Sequence, residues 1–187
     1  MSRQAARSLD DLKTQFRELS EQATALVNRL EPTLLFRRPK PESWSVAECF
    51  AHLNLSANAY FPVWKREFAR ARDENRSGEG PYRLDFWGRM LVWTLEPPPK
   101  FRLRTAAAFQ PAAIGAPETI LPAFRQRQQG ILEALEAARG IAIDKIKIAS
   151  PFDARVRYSI WSSFRVNAVH ERRHIWQAKQ AAQALAR

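Results

Sequence analysis

The chain has 187 residues, 45% of them hydrophobic, enough for one domain with a buried core and too apolar for wholesale disorder. Its formal net charge is +11, from 30 Lys and Arg against 19 Asp and Glu. The bases are scattered, with no run of five, so they supply at most the non-specific term of nucleic-acid binding, and a specific nucleic-acid partner is not expected. A single cysteine excludes an intramolecular disulfide framework. No apolar stretch of a secretory signal follows Met1–Ser8, and the longest nearly uncharged run, Cys49–Trp64, is too short and too polar to span a bilayer. The expectation is one cytoplasmic domain over residues 1–187.

In chain order, the first predicted helix is the clearest. Leu9, Leu12, Phe16, Leu19, Ala23, Leu26 and Leu30 recur at alternating spacings of three and four, which draws one apolar stripe, and Pro32 ends it. A connector with Pro32, Pro39 and Pro41 leads to a sharp helix start. There Ser45 and Glu48 form a capping box, with Trp44 as the hydrophobic staple. This second helix continues through Cys49, Phe50, Leu53, Ala57, Tyr60 and Trp64 and fades near Asp73. Pro62 lies inside it and is expected to kink it by removing the bond to the carbonyl of Asn58.

Residues 74–117 are the least regular part, with a short helix expected over Leu84–Leu95, a stop at Pro97–Pro99 and a loop holding Pro111, Gly115 and Pro117. A third long helix is predicted from Pro117 to Arg139, with Ile120, Phe124, Ile131, Leu135 and Ala138 on its apolar face and Gly140 as its cap. Ile141–Ile148 reads as an extended link. The last long helix is predicted from Asp153 or Ala154 to Ala186. The fold class expected is all-α, a four-helix bundle with a long connection between the second and third long helices.

The last helix carries the chemistry. Ser163, Asn167, His170, His174 and Gln177 share one face, beside an apolar stripe of Ile160, Phe164, Ala168, Ile175 and Ala178. Polar groups turned to an interior need partners, and a metal ion with its surrounding hydrogen bonds would supply them. His170 and His174, at i and i+4, can hold one ion between them. His52 on the second helix is the only other histidine. Three protein ligands leave a position open for water or substrate. Imidazole donors suit Zn, Ni, Fe or Cu alike. Ordinary hydrogen-bonded histidines are the competing reading of the pair. Glu171 and Glu48 are the candidate proton acceptors, although the capping box already accounts for Glu48. Asn167 and Gln177 are candidates to support the ligands, and Cys49 is either a fourth ligand or a small core residue, the latter reading being preferred.

The segment Glu42–Leu53, with Trp44, Ser45, Glu48, His52 and Leu53 in a W-S-x-x-E-x-x-x-H-L pattern, resembles the corresponding segment of DinB-like proteins. The segment His170–Gln177 resembles their C-terminal H-x-x-x-H-x-x-Q element. The resemblance implies a four-helix bundle in which His52, His170 and His174 bind Zn or Ni. It also implies kinship with thiol S-transferases that use bacillithiol or mycothiol, with a maleylpyruvate isomerase and with proteins described as metal-dependent hydrolases, many of them dimers. The activity expected from it is therefore a metal-dependent thiol transfer or hydrolysis on a small-molecule substrate. A low-molecular-weight thiol would be drawn in by basic groups, and a homodimer would fit the family. The alternative is a metal- or ligand-binding module without turnover. Pro62 and residues 74–117 have no counterpart in the pattern.

Overall fold

A computed structural model of the protein describes residues 6–100, 105–111 and 115–186. Most of the reading of Met1–Ser8, and parts of the loop expected between Pro99 and Pro117, lie outside these residues. The chain is mostly helical, with one small two-stranded sheet. Helix α1 (Leu9–Val27) opens on a reciprocal cap: the Asp11 N–H donates to Ser8 Oγ (3.1 Å) and the Ser8 N–H to the Asp11 carboxylate (3.0 Å). It closes at Val27, one turn before the expected Leu30, and Pro32–Leu35 then form a single 3-10 turn. Helix α2 (Val46–Asp73) starts at the predicted Ser45 cap and runs without interruption through Pro62. Helix α3 (Phe86–Leu95) falls within the short predicted segment, its first turn capped by the Asp85 carboxylate, which accepts from the Gly88 N–H (2.8 Å). After a 3-10 turn at Ala107–Phe109 come α4 (Pro117–Ala137), β1 (Lys147–Ala149), β2 (Arg157–Ser159) and α5 (Ile160–Leu185).

The start of the last helix corrects the sequence reading. Residues 157–159 are not helical but pair antiparallel with β1, Ile148 opposite Tyr158. The pairing buries Tyr158 completely and brings its hydroxyl 2.7 Å from that of Tyr60 on α2. Ser159 then caps α5, its Oγ accepting from the Ser162 N–H (3.1 Å). A buried aromatic pair and a tertiary strand partner outweigh the local helix propensity of this stretch. The extended link predicted for Ile141–Ile148 is realised in part, as β1.

The main helix contacts place α1 and α2 each against both α4 and α5, and α3 against α5. The core between them is built from Leu12 and Phe16 of α1, Phe50 and Trp64 of α2, Phe124 and Ile131 of α4, and Trp161 and Phe164 of α5. Trp64 is the rivet between the two helices that carry histidines. Its ring stacks on Phe164 with centroids 4.3 Å apart, and its Nε1–H donates to Ser163 Oγ (2.8 Å). Two glycines have steric roles. Gly88 lets α3 seat on α5, because a Cβ there would collide with Ser162 Oγ. Gly140, just past α4, sits at φ +75°, where a side chain is strained. Among the described residues no helix is long and apolar enough to cross a membrane.

Candidate metal centre

The position of His52 is set from the start of α2. Ser45 is wholly buried, and it exchanges two hydrogen bonds with Glu48: the Glu48 N–H donates to Ser45 Oγ (3.2 Å) and the Ser45 N–H to Glu48 Oε2 (2.8 Å). Arg38, from the connector, clamps the same carboxylate through Nε (2.9 and 3.0 Å) and Nη2. Burial works against the charge on Glu48, but the Arg38 guanidinium and the Ser45 bonds hold its carboxyl below the ordinary value. Both oxygens of Glu48 are thus committed to holding the helix end. His52 follows two turns later, on the buried side of α2.

On α5, helical spacing puts His170 and His174 on one side, facing α2. His170 Nε2 lies 3.1 Å from His52 Nε2 and 3.1 Å from His174 Nε2. The three rings are mutually close, with centroids 4.4–5.0 Å apart. Donors on one ion, with bonds of about 2.05 Å, would be about 2.9 Å apart at a right angle and about 3.35 Å at the tetrahedral angle. The two measured separations fall between these values. One ligand nitrogen from each of the three histidines lies within 4.8 Å of the others, which suits a shared cation.

The rings are held neutral and oriented. His52 Nδ1 is 2.7 Å from the carbonyl oxygen of Phe109. A carbonyl can only accept, so Nδ1 carries the hydrogen and the Nε2 lone pair is turned to the other histidines. Burial lowers the pKa of His52. Burial, then repulsion from His52 and Arg173, depresses His170 to about 3. His174 is pushed well down by burial and by its two neighbours. Its Nδ1 is buried outside hydrogen-bond geometry, with Gln177 one turn on interacting more loosely. Neutral imidazoles are the form that ligates a metal. Around them stand aromatic rings: Trp44 against His52 and His174 (5.0 and 5.7 Å between centroids), and Phe152 against His170 (6.1 Å) and Phe109 (4.4 Å).

The other residues named from the sequence fall in different places. Asn167 is buried on the same helix one turn before His170, and its Nδ2 has no hydrogen-bond partner. Cys49 is packed in the core, where burial raises the pKa of its thiol, and it does not join the histidine cluster. Glu171 is fully buried and does not join it either. Its Oε2 accepts from Gln128 Nε2 of α4 (2.8 Å), and burial raises its carboxyl to about 8. Gln128 and Phe109 were missed by sequence reasoning. Gln128 left a signal, since it stands at helical spacing between Phe124 and Ile131 in an otherwise apolar stripe. Phe109 left none, because its contribution is a backbone carbonyl.

The architecture and the cluster define a mostly helical protein with a candidate three-histidine metal centre between α2 and α5. The profile of the DinB superfamily matches residues 15–178, a span that includes all three histidines, and the chain belongs to that superfamily. Comparison with curated proteins and with solved structures gives no significant match.

Proposed function

We propose that the protein is a single-domain DinB-type four-helix bundle whose His52, His170 and His174 hold one divalent ion, Zn or Ni, and that it is a metal-dependent thiol S-transferase or hydrolase. The observation that carries this reading is that His170 Nε2 stands 3.1 Å from Nε2 of both His52 and His174, with one ligand nitrogen of each histidine within 4.8 Å of the others and His52 fixed by the Phe109 carbonyl. A divalent ion there would supply Lewis-acid activation of a thiol or a water. The protein's own share is to keep the imidazoles neutral, with His52 and His174 buried, and to wall the site with Trp44 and Phe152 so that bulk water is limited. Asn167 and Gln177 flank the ligands as their supporting polar groups. Glu171 ranks ahead of Glu48 as the proton-handling residue, because the oxygens of Glu48 are engaged by Arg38 and Ser45.

Elemental analysis of the purified protein tests the first step. About one Zn or Ni per chain is expected in the wild type, and none in the H52A/H170A/H174A variant. Equal metal binding by the two would sink the proposal. Turnover of an activated ester without added thiol identifies a hydrolase. Strict dependence on a low-molecular-weight thiol identifies a transferase.

A further inference from the structure

A cavity of ≈ 540 Å³ lies between α2, the turn around Ala107–Gln110 and the first half of α4. Its size is that of a site for a small organic molecule, for which about 300–1,000 Å³ is usual. The volume exists because the facing positions are small: Ala47 and Ala51 on α2, Ala107 and Ala108 on the turn, Ala123 on α4. It shares two walls with the histidine cluster. Ala51 immediately precedes His52, and Ala107 and Ala108 immediately precede Phe109, whose carbonyl holds the His52 ring.

The chemistry of the lining is unlike the rest of the protein. In a chain of net charge +11, no charged side chain among the described residues borders this cavity. The polar side chains that the described residues contribute are neutral: Asn54, Asn58, Gln110 and Thr119. Two of them are engaged locally, Gln110 donating to the Thr105 carbonyl (3.0 Å) and Thr119 to the Ala116 carbonyl (2.7 Å). Asn54 Oδ1, by contrast, is buried with no hydrogen-bond partner. The neutral amides of Asn54 and Asn58 can exchange hydrogen bonds with a ligand without asking it for a charge. A carboxylate or phosphate would find no cation among these described side chains and would lose its hydration.

We infer that this cavity binds the organic substrate, and that the substrate is an uncharged, largely apolar molecule that can hydrogen-bond a neutral amide. The lining suits the neutral acceptor of a transfer or the neutral substrate of a hydrolysis, not a carboxylate-bearing thiol. That the ligand is the substrate rests on the metal-centre reading; its binding does not.

The test uses the full chain and a matched pair of fluorescent probes. N-phenyl-1-naphthylamine is neutral, apolar and carries one N–H; 8-anilinonaphthalene-1-sulfonate is the same body with a negative charge. The neutral probe is expected to bind saturably at one site. Affinity should fall at least tenfold in Ala123→Trp, which fills the cavity from α4, and about fivefold in Asn54→Leu, which removes a lining amide. Circular dichroism melts verify that both variants are folded. Sulfonate binding should be insensitive to Ala123→Trp. Equal affinity of the neutral probe for wild type and both variants would overturn the site. A sulfonate probe that competes for the Ala123→Trp-sensitive site as tightly as the neutral one would overturn the ligand class. Metal content measured on the same samples reports the triad separately, so a wild type without metal defeats the proposed function and leaves the cavity result standing.

Discussion

The neutral, desolvated histidines give the metal-free protein a specific acid sensitivity. His170 is depressed to about 3 and His174 well below its ordinary value of 6.5, so between roughly pH 3 and 6.5 the native state binds fewer protons than the unfolded chain. Stability therefore rises with pH across that window and is lost as the pH falls below the unfolded value. A group of unfolded pKa 6.5 that stays neutral in the native state loses about 2 kcal/mol between pH 7 and pH 5, so the pair accounts for up to about 4 kcal/mol. Glu171 acts in the opposite sense. Its native carboxyl is raised to about 8, so it binds a proton that the unfolded chain releases above about pH 4.5, and its contribution grows as the pH falls. The wild-type slope alone is thus a mixture. The informative quantity is the difference in slope between wild type and H170A/H174A, which share Glu171. Urea denaturation in the presence of chelator, repeated from pH 7 to pH 5, should show the wild type losing up to about 4 kcal/mol more than the variant, with H170A and H174A singly near half of that. Parallel stability curves for wild type and double variant would refute the account of neutral, desolvated imidazoles.

Ser45→Ala removes the acceptor for the Glu48 N–H at the start of α2 and should lower stability by about 1 kcal/mol in urea denaturation; metal affinity, read by competition with a chelator, should weaken as well because His52 rides on that helix. Trp64→Phe deletes the hydrogen bond to Ser163 and part of the stack on Phe164. It should cost about 1–3 kcal/mol by the same assay, and an unchanged midpoint would show that this contact does not join α2 to α5 energetically. Free Zn or Ni at about 100 times its Kd should stabilise the wild type by about 2.7 kcal/mol, seen as a rise in Tm, and leave H52A/H170A/H174A unmoved.

How much of the protein was legible without coordinates can be judged from individual residues. The Ser45–Glu48 cap, the stripe of α1, the short helix at Phe86–Leu95 and the shared face of His170 and His174 all follow from spacings within a few residues, and a helix has a fixed pitch that turns spacing into direction. The candidate ligands were legible for the same reason, since polar residues at helical spacing beside an apolar stripe announce an interior that needs polar partners. The beginning of α5 was not, because Arg157–Ser159 take their conformation from pairing with β1 and from Tyr60, which is 98 residues from Tyr158.

The sequence by itself determined which side chains bear metal-binding chemistry and which helix faces carry them, because both depend on local pattern. Only the tertiary structure decided that His52 and His170, 118 residues apart, meet at 3.1 Å, that a backbone carbonyl from the irregular segment orients the ring of His52, and that Glu171 turns to Gln128 and not into the cluster. Those outcomes depend on how α2, α4 and α5 pack. A packing geometry is the joint solution of contacts spread over the whole chain, so no short stretch of sequence specifies it.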